Sequence, residues 1–266
     1  MHEQYWPWRN QRRPAGIVTP ININILHLRN PWVVAWWSAA FPGFGYFIVG
    51  SFFNAIILIA IELVMNNQAH INEAIVYSFI GRFDLAKQVI DLRWMIVYLT
   101  VWILSVWGSY RRAVELNKLA LLADREGSMV IPVKMNSLEV NYLEKRLPWL
   151  ASVISVFAPG AGHFYCHQIP TSFTIILMAL LSIYYSNILP AIHLTFYGQF
   201  QQAIAVLNVQ WFLFIPSLLG FAVYDSYVNA VETNKLFEKE QSLFLRTCYQ
   251  NHGFIMPSTL IRDGDL

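Results

Sequence analysis

The residues of this sequence best suited to chemistry are ionisable side chains inside long apolar stretches. Glu62 is the only acidic residue of the stretch from 46 to 65, and Asp225 lies in a second such stretch. Because lipid does not solvate a charge, a carboxylate there is a candidate functional group. However, Glu62 is about one helical turn from Asn66, and Asp225 is near the end of its stretch. The sequence therefore favours carboxylates that reach interfacial water over a functional role for either.

Three possible metal ligands lie close together at His163, Cys166 and His167. A helical turn would place His163 and His167 on one face, at the i, i+4 spacing that zinc sites use. No second ligand pair accompanies them, so the sequence predicts neither a metal site nor another cofactor. The motifs GxxxxGKS/T, HExxH and GxSxG are also missing, and we expect no catalytic residues and no enzymatic activity.

The composition indicates which environment these side chains occupy. Charged residues make up 13% of the 266 residues, hydrophobic residues 56%, and the mean hydropathy is +0.42. Soluble domains typically carry about 25% charged and about 45–50% apolar residues, so the composition favours a membrane protein. A net charge of +2 without a basic run predicts no nucleic-acid partner.

The chain also resembles itself at a shift of about 117 positions, without a gap. "FPGFGYF" (41–47) aligns with "APGAGHF" (158–164), and "VWGSYRRAVELNKL" (106–119) aligns with "VYDSYVNAVETNKL" (223–236). Roughly 27 of about 89 aligned positions are identical, and they are spread through loops as well as apolar stretches. The sequence therefore predicts a tandem duplication.

Each half begins with a short apolar segment that meets a Pro-Gly-x-Gly break. The residues of the two breaks are Pro42, Gly43, Gly45, Pro159, Gly160 and Gly162. Proline lacks the amide that a continuing helix needs, and glycine permits a sharp change of direction. At about ten residues the segment is too short to cross a bilayer, so we expect a half-helix that is interfacial or re-entrant. The alternative is one kinked helix over 33–65.

Two further apolar stretches follow the break in each half, and each approaches the ~20 residues that a transmembrane helix needs. The predicted fold is all-α: a polytopic helical membrane protein with two parallel-oriented repeats, each with a half-helix and two transmembrane helices. The predicted domains are a cytoplasmic arm (1–30), repeat 1 (31–119), a cytoplasmic linker (120–147), repeat 2 (148–236) and a cytoplasmic tail (237–266). In the linker, Asn136 and Glu139 resemble the N-cap of a short amphipathic helix.

Basic residues predict the orientation of these spans. Fifteen of the eighteen Lys and Arg residues lie in 9–29, 111–146 and 235–262, that is, in the arm, the linker, the tail and the helix ends next to them. The loop within repeat 1 carries the other three, and the loop within repeat 2 carries none. Since positively charged flanks stay in the cytoplasm, both termini are expected there, in a plasma membrane. The two repeats then share one orientation, related by an axis along the membrane normal.

The loop within each repeat is itself patterned. Ile71, Ile75, Phe79 and Phe83 recur at every fourth residue, which predicts an amphipathic helix. Repeat 2 has Ile188, Ile192, Phe196 and Phe200 in the same places. We expect these helices to lie on the outer leaflet or to cap the bundle; the alternative is a surface that binds a partner.

The runs "PGFGYFIVG" (42–50) and "PGAGHFYCH" (159–167) resemble the start of the small bacterial two-transmembrane-helix module, the TM-two domain. The resemblance covers about 20 residues per copy and the plan of a helix pair. His167 replaces the last glycine of that signature, and the loops here are longer than the module's usual connection. The resemblance implies a bacterial membrane protein and no common activity.

Two functions follow from these features. The first is a non-catalytic membrane scaffold or accessory subunit, whose partners are the lipid bilayer and another membrane protein or further copies of this chain. The alternative is a permease or channel for a small solute or an ion. The two repeats would form it, either in one chain or in a homo-oligomer. The candidate functional residues are Glu62, Asp225, His163 and His167.

Overall fold

The computed structural model describes residues 13–128, 130–135 and 140–249. Most of these residues are helical, and among them four helices are long and apolar enough to cross a membrane. These candidate spans are Phe52–Ala69, Leu92–Arg125, Ile169–Ser186 and Val209–Arg246. A mostly helical fold with four helices that could cross a membrane is therefore confirmed. The prediction of an all-α fold is wrong in detail, because short strands also form among the described residues.

The first series of helices runs from residue 31 to residue 125. Its members are α1 (Pro31–Ala40), α2 (Phe44–Ile48), α3 (Phe52–Ala69), α4 (Ile71–Phe79), α5 (Phe83–Val89) and α6 (Leu92–Arg125). A membrane span was expected to begin near residue 46, but helix α2 ends at Ile48 and Gly50 adopts a φ of +71°. Hydropathy does not register this turn, because the residues on both sides of it are apolar. The chain from 33 to 65 is therefore not one helix.

The second series has the same order, and its first five helices have the same lengths as their counterparts; the sixth is broken at Leu213 and is longer. Its members are α7 (Pro148–Phe157), α8 (Ala161–Tyr165), α9 (Ile169–Ser186), α10 (Ile188–Phe196), α11 (Phe200–Val206), α12 (Val209–Phe212) and α13 (Phe214–Cys248). Helices α7 to α12 each begin 117 positions after their counterparts in the first series, as from 31 to 148.

Glycines make the break between the short helix and the next one possible. Gly43 and Gly160 adopt φ angles of +106° and +97°, which side chains rarely tolerate. A Cβ atom at either position would also lie 2.8 Å from a backbone oxygen of the following span. At Gly45 and Gly162 a Cβ atom would collide with a backbone oxygen of the preceding short helix. The chain reverses here with its backbone pressed against both neighbouring helices.

Short strands bring the N-terminal arm and the linker together at one end of the bundle. Strands β1 (Gly16–Thr19) and β2 (Asn22–Ile25) form a hairpin, and β3 (Val130–Ile131) pairs in parallel with β1. Strand β4 (Val133–Met135) pairs with β5 (Val140–Tyr142). Where the sequence suggested an amphipathic helix, the chain therefore forms a strand; the proposed cap residues, 136–139, lie outside the described residues.

The strands lie at the opposite end of the bundle from helices α4, α5, α10 and α11. We call these the sheet end and the cap end. At the cap end, backbone hydrogen bonds from Asp91 to Ala69 (3.2 Å) and from Asn208 to Ser186 (2.9 Å) tie the start of each second span to the end of the first. Each half is thus a closed helical unit with its cap at the same end.

Aromatic side chains form the core between the two halves. Phe44 stacks on Phe41 on one side (4.5 Å between ring centroids) and on Phe221 of α13 on the other (4.2 Å). Trp37 packs edge-on against Phe221, and Phe214 packs against Phe41. Since the four phenylalanine rings are almost fully buried and Trp37 is partly buried against them, the halves share one apolar core.

Candidate functional site

A buried histidine and aspartate lie side by side near the sheet end. His163 is on α8 and Asp225 on α13, and the His163 Nε2 atom lies 3.0 Å from Asp225 Oδ2. Their side chains are 0% and 4% exposed. The left-handed turn at Gly160 sets the start of α8 and so aims His163 at α13. Asp225 was expected at a water interface, but the packing of α7 and α8 on α13 encloses it.

Hydrogen bonds continue from this pair to a cavity. Asn229 Nδ2 donates to Asp225 Oδ2 (2.9 Å), and Gln168 Nε2 donates to Asn229 Oδ1 (3.2 Å). Gln168 and Asn229 both line a cavity of about 330 Å³ between the β1–β2 hairpin and the residues around α2. We call these four side chains, His163, Asp225, Asn229 and Gln168, the His163 cluster. It links a buried ionisable pair to the sheet end.

The first half has a different pair in the same place. Tyr46 and Gly108 occupy the positions that align with His163 and Asp225, and a Cβ atom at Gly108 would collide with the Tyr46 hydroxyl group. The large phenol therefore requires the glycine, whereas the smaller imidazole leaves room for a carboxylate. Alignment of the halves shows this difference as a paired exchange, in which Tyr46 and Gly108 are replaced by His163 and Asp225 together.

His163 and His167 do not form the suggested metal pair. His167 has a φ of +57° and its Nε2 atom lies 2.8 Å from the Pro20 carbonyl oxygen, on the side of the hairpin. Cys166 instead donates its thiol hydrogen to the Ser226 carbonyl group (3.6 Å), and burial raises the pKa of that thiol to about 12. The turn at the end of α8 separates the three side chains. Among the described residues, no three His, Cys, Asp or Glu side chains gather as a metal site requires.

Arg29 lies beside the cavity at the sheet end. Its Nη2 atom donates to the Ile25 carbonyl oxygen (3.2 Å), while its Nε and Nη1 atoms are buried without a hydrogen-bond partner. Burial lowers the pKa of Arg29 to about 10, although the charges of Asp225 and Glu232 oppose the shift. Arg29 stays protonated at neutral pH. In the sequence Arg29 is visible only as one of the positive charges that flank the first apolar segment.

His27 is the other partly buried base of this region. Its Nδ1 atom lies 3.3 Å from Glu232 Oε2 and 3.1 Å from the Leu28 carbonyl oxygen. Burial and the charge of Arg29 lower the pKa of His27 to about 4, against the opposing effect of Glu232. His27 is therefore neutral at pH 7, and it can donate one ring hydrogen to either acceptor.

A second polar cluster surrounds Glu62 near the cap end. Glu62 is 3% exposed. Its Oε1 atom accepts hydrogen bonds from Asn66 Nδ2 (2.9 Å) and from the Tyr98 hydroxyl group (3.4 Å), and its Oε2 atom is buried without a partner. We expected this carboxylate to reach water. It does not, because the cap helix α4 and helix α12 of the other half cover the end of α3.

Amides next to Glu62 join the two halves. Gln210 of α12 donates from Nε2 to Asn66 Oδ1 (2.8 Å), and Asn72 Nδ2 donates to the Gln210 carbonyl oxygen (2.9 Å). The Gln210 side-chain oxygen accepts from the Glu73 backbone amide (2.9 Å). We call Glu62, Asn66, Asn72, Tyr98 and Gln210 the Glu62 cluster. It acts as a polar clamp between the first cap and the second half.

A cavity of about 300 Å³ adjoins the Glu62 cluster. Its other side chains come from α1, α4, α6 and the start of α13, and several are aromatic. The lining includes Phe41, Trp102, Phe214 and Ser217. Phe41 and Phe214 also belong to the aromatic core, while Phe221 of that core stacks on the His163 ring at 6.4 Å. Packed apolar rings therefore separate the Glu62 cluster from the His163 cluster.

Comparison with known proteins adds no relative to these observations. No protein-family model, no curated protein and no solved structure matches the chain. The chemistry open to the two clusters therefore follows from their geometry. Each holds an ionisable group among fixed hydrogen-bonding partners, and a cavity lies beside each.

Proposed function

We propose that this chain is a multi-pass membrane protein without catalytic activity, a scaffold or accessory subunit that holds two helical modules in one rigid arrangement. The observation that carries the proposal is the closed aromatic core of Phe41, Phe44 and Phe221 between the halves. A core of this kind leaves no polar path along the bundle. The clamp around Gln210 adds hydrogen bonds across the same interface, so the halves are built to stay together.

The same proposal includes two repeats of one orientation, similar to a TM-two module. The helices recur in order at a constant spacing. In each half an asparagine side chain of the long helix also bonds to both the N–H and the carbonyl oxygen of one backbone residue before the short helix. Asn117 does so at Arg29, and Asn234 does so at Arg146, each by two hydrogen bonds of 2.7 to 2.8 Å. Because equivalent asparagines make the same two hydrogen bonds at the same end of each half, the contacts favour parallel copies.

Orientation and location follow from charge. The sheet end carries most basic residues, so we propose that it faces the cytoplasm of a bacterial cell and that the cap end faces outward. Charged residues at the sheet end lie in ion pairs between different segments, such as Lys239 with Asp124 (3.0 Å) and Lys145 with Glu238 (2.9 Å). Water must reach these exposed groups, which is consistent with that placement.

The cap end offers the surface on which partners would dock. Phe79 and Phe196 are 83% and 87% exposed, at aligned positions of α4 and α10. Phe83 and Phe200 are exposed in the same way on α5 and α11. Exposed aromatic side chains of this number are unusual on a surface that faces only water, so we propose contact with the outer leaflet and with a membrane-protein partner or a further copy.

Site-specific photo-crosslinking in native membranes tests this function. A photo-reactive phenylalanine analogue replaces Phe79 or Phe196, and Leu177, an exposed residue in the middle of α9, is the control position. The scaffold hypothesis predicts discrete protein adducts from both cap positions and lipid adducts alone from the control. If neither cap position yields a protein adduct, the docking function is wrong, because a scaffold must contact what it holds.

A second candidate, a small-solute or ion permease, is favoured by one observation. A cavity with an unpaired polar atom lies on each side of the aromatic core: Glu62 Oε2 towards the cap end and Arg29 towards the sheet end. Such a protein would have to open the core to pass solute. The test is solute flux into liposomes that contain the purified protein, compared with empty liposomes. Flux that exceeds the empty control and falls in Glu62→Gln and Asp225→Asn variants would favour the permease over the scaffold.

A further inference from the structure

The cavity beside Glu62 has the features of a ligand site. It lies between the two halves near the cap end, has a volume of about 300 Å³ and is lined by residues of both halves. Ligand pockets start at about this size, which suits a small molecule. We propose that it binds a small organic cation, a protonated amine, with Glu62 as the counter-ion.

The carboxylate provides the charge. Glu62 Oε1 takes both hydrogen bonds that protein groups offer, from Asn66 and Tyr98, which leaves Oε2 without a donor. A buried carboxylate oxygen without a partner is costly unless a proton or a cation meets it. None of the described residues that line the cavity is a Lys or an Arg. The missing partner is therefore expected from outside the chain.

The walls favour an organic cation over a metal ion. Trp102, Tyr98, Phe41 and Phe214 all line the cavity, and aromatic faces attract ammonium groups through cation–π contacts. Metal ions such as Ca²⁺ instead require six or more oxygen ligands. Few remain free here, because Asn66 Oδ1 already accepts two hydrogen bonds and the side-chain oxygen of Asn72 accepts one.

The second half has no equivalent site. The positions that align with Glu62, Asn66, Tyr98 and Trp102 hold Ala179, Ile183, Ile215 and Leu219. These apolar side chains provide neither a charge nor a hydrogen bond. Binding should therefore saturate at one amine per chain. The inference rests on the cavity and does not depend on the scaffold function or on transport.

The experiment measures amine binding to the purified full-length protein in lipid nanodiscs. Calorimetric titration uses n-butylammonium and tetramethylammonium, with n-butanol as the uncharged analogue and sodium chloride as the inorganic cation. The variant Glu62→Gln keeps the shape and removes the charge. Its matched control is Glu73→Gln, which removes a carboxylate of α4 that does not line the cavity.

We expect one saturable site for n-butylammonium, with about thirtyfold or greater loss of affinity in Glu62→Gln and no change in Glu73→Gln. Butanol and sodium should not saturate the site. Equal affinity in Glu62→Gln, saturation by butanol, or saturation by sodium alone would each overturn the proposal.

A second variant covers the case in which Glu62→Gln does not fold. Ser217 lines the same cavity from α13, and Ser217→Lys would place a tethered ammonium group there while Glu62 stays unchanged. This variant should lose binding of n-butylammonium, because its own side chain pairs with the carboxylate. If it binds the amine as the wild-type protein does, Glu62 is not the counter-ion and the proposal fails.

Discussion

Replacing His163 and Asp225 by the residues of the first-half pair tests whether the residue at one position limits which residue fits at the other. The exchange combines His163→Tyr with Asp225→Gly, which recreates the arrangement of Tyr46 over Gly108. Asp225 is the partner of His163 Nε2, and His163 Nδ1 has none. Asn229 also loses an acceptor in the exchange, but it lines a cavity and can bond to water instead.

The magnitudes follow from these contacts. Asp225→Gly alone leaves a buried imidazole without a partner, at about 1–3 kcal/mol, and adds about 1 kcal/mol for glycine inside a helix. His163→Tyr alone forces a phenol hydroxyl group against the Asp225 Cβ atom, an overpacking cost of about 1–3 kcal/mol. The double variant keeps only the glycine cost. It should therefore be about 2–6 kcal/mol more stable than the sum of the two single effects predicts.

The assay is unfolding by sodium dodecyl sulfate in mixed micelles, followed by far-ultraviolet circular dichroism for the four proteins of the cycle. The control is His193→Tyr, because His193 is exposed on α10 and the change should stay within about 0.5 kcal/mol. If the two single effects at His163 and Asp225 add within about 0.5 kcal/mol, the positions are independent and the reasoning is refuted.

Three further predictions use the same unfolding titration. Asn234→Ala removes both hydrogen bonds to the Arg146 backbone and should lower the free energy of unfolding by about 1–3 kcal/mol. An unchanged unfolding midpoint would show that these two hydrogen bonds do not stabilise the fold. Gly160→Ala, which meets both a positive φ and a backbone oxygen, should cost about 3 kcal/mol or more, whereas Gly198→Ala, with open space around it, should cost about 1 kcal/mol; equal costs would be inconsistent with the packed turn. Because the pKa of His27 is lowered from 6.5 to about 4, the unfolded chain binds a proton in that window that the folded chain does not, so stability should fall as pH drops from about 6.5 to about 4; a His27→Gln variant with the same pH slope would show that this group does not titrate as described.

The sequence was most informative about the membrane spans. Long apolar stretches and the alignment of the two halves of the sequence predicted the four candidate spans and the helices of the cap end, because each of these elements is visible as a local sequence pattern. Span boundaries were less accurate. The turn at Gly50 has mostly apolar residues on both sides, so hydropathy alone does not indicate where one helix ends and the next begins.

The clusters depend on contacts that a single stretch of sequence does not contain. Glu62 looked interfacial because Asn66 follows one turn later, yet Gln210 from the other half closes over both residues. Asp225 also looked interfacial, because it lies near the end of its apolar stretch. In the structure His163 of α8 lies beside it and the site is buried. Comparing the two halves position by position would have revealed the paired exchange with Tyr46 and Gly108, since a contact that requires one small partner leaves a correlated change.

Cysteine accessibility in intact cells tests the central claim most directly, that two parallel repeats place both caps outside and the sheet end in the cytoplasm. In a Cys166→Ala, Cys248→Ser background, single cysteines replace Lys87, Gln202 or Arg125, which are exposed on α5, α11 and the end of α6. A membrane-impermeant maleimide should label Lys87→Cys and Gln202→Cys on intact cells, and should label Arg125→Cys only after permeabilisation. Labelling of Lys87→Cys without Gln202→Cys would contradict parallel repeats, and labelling of Arg125→Cys alone would invert the orientation.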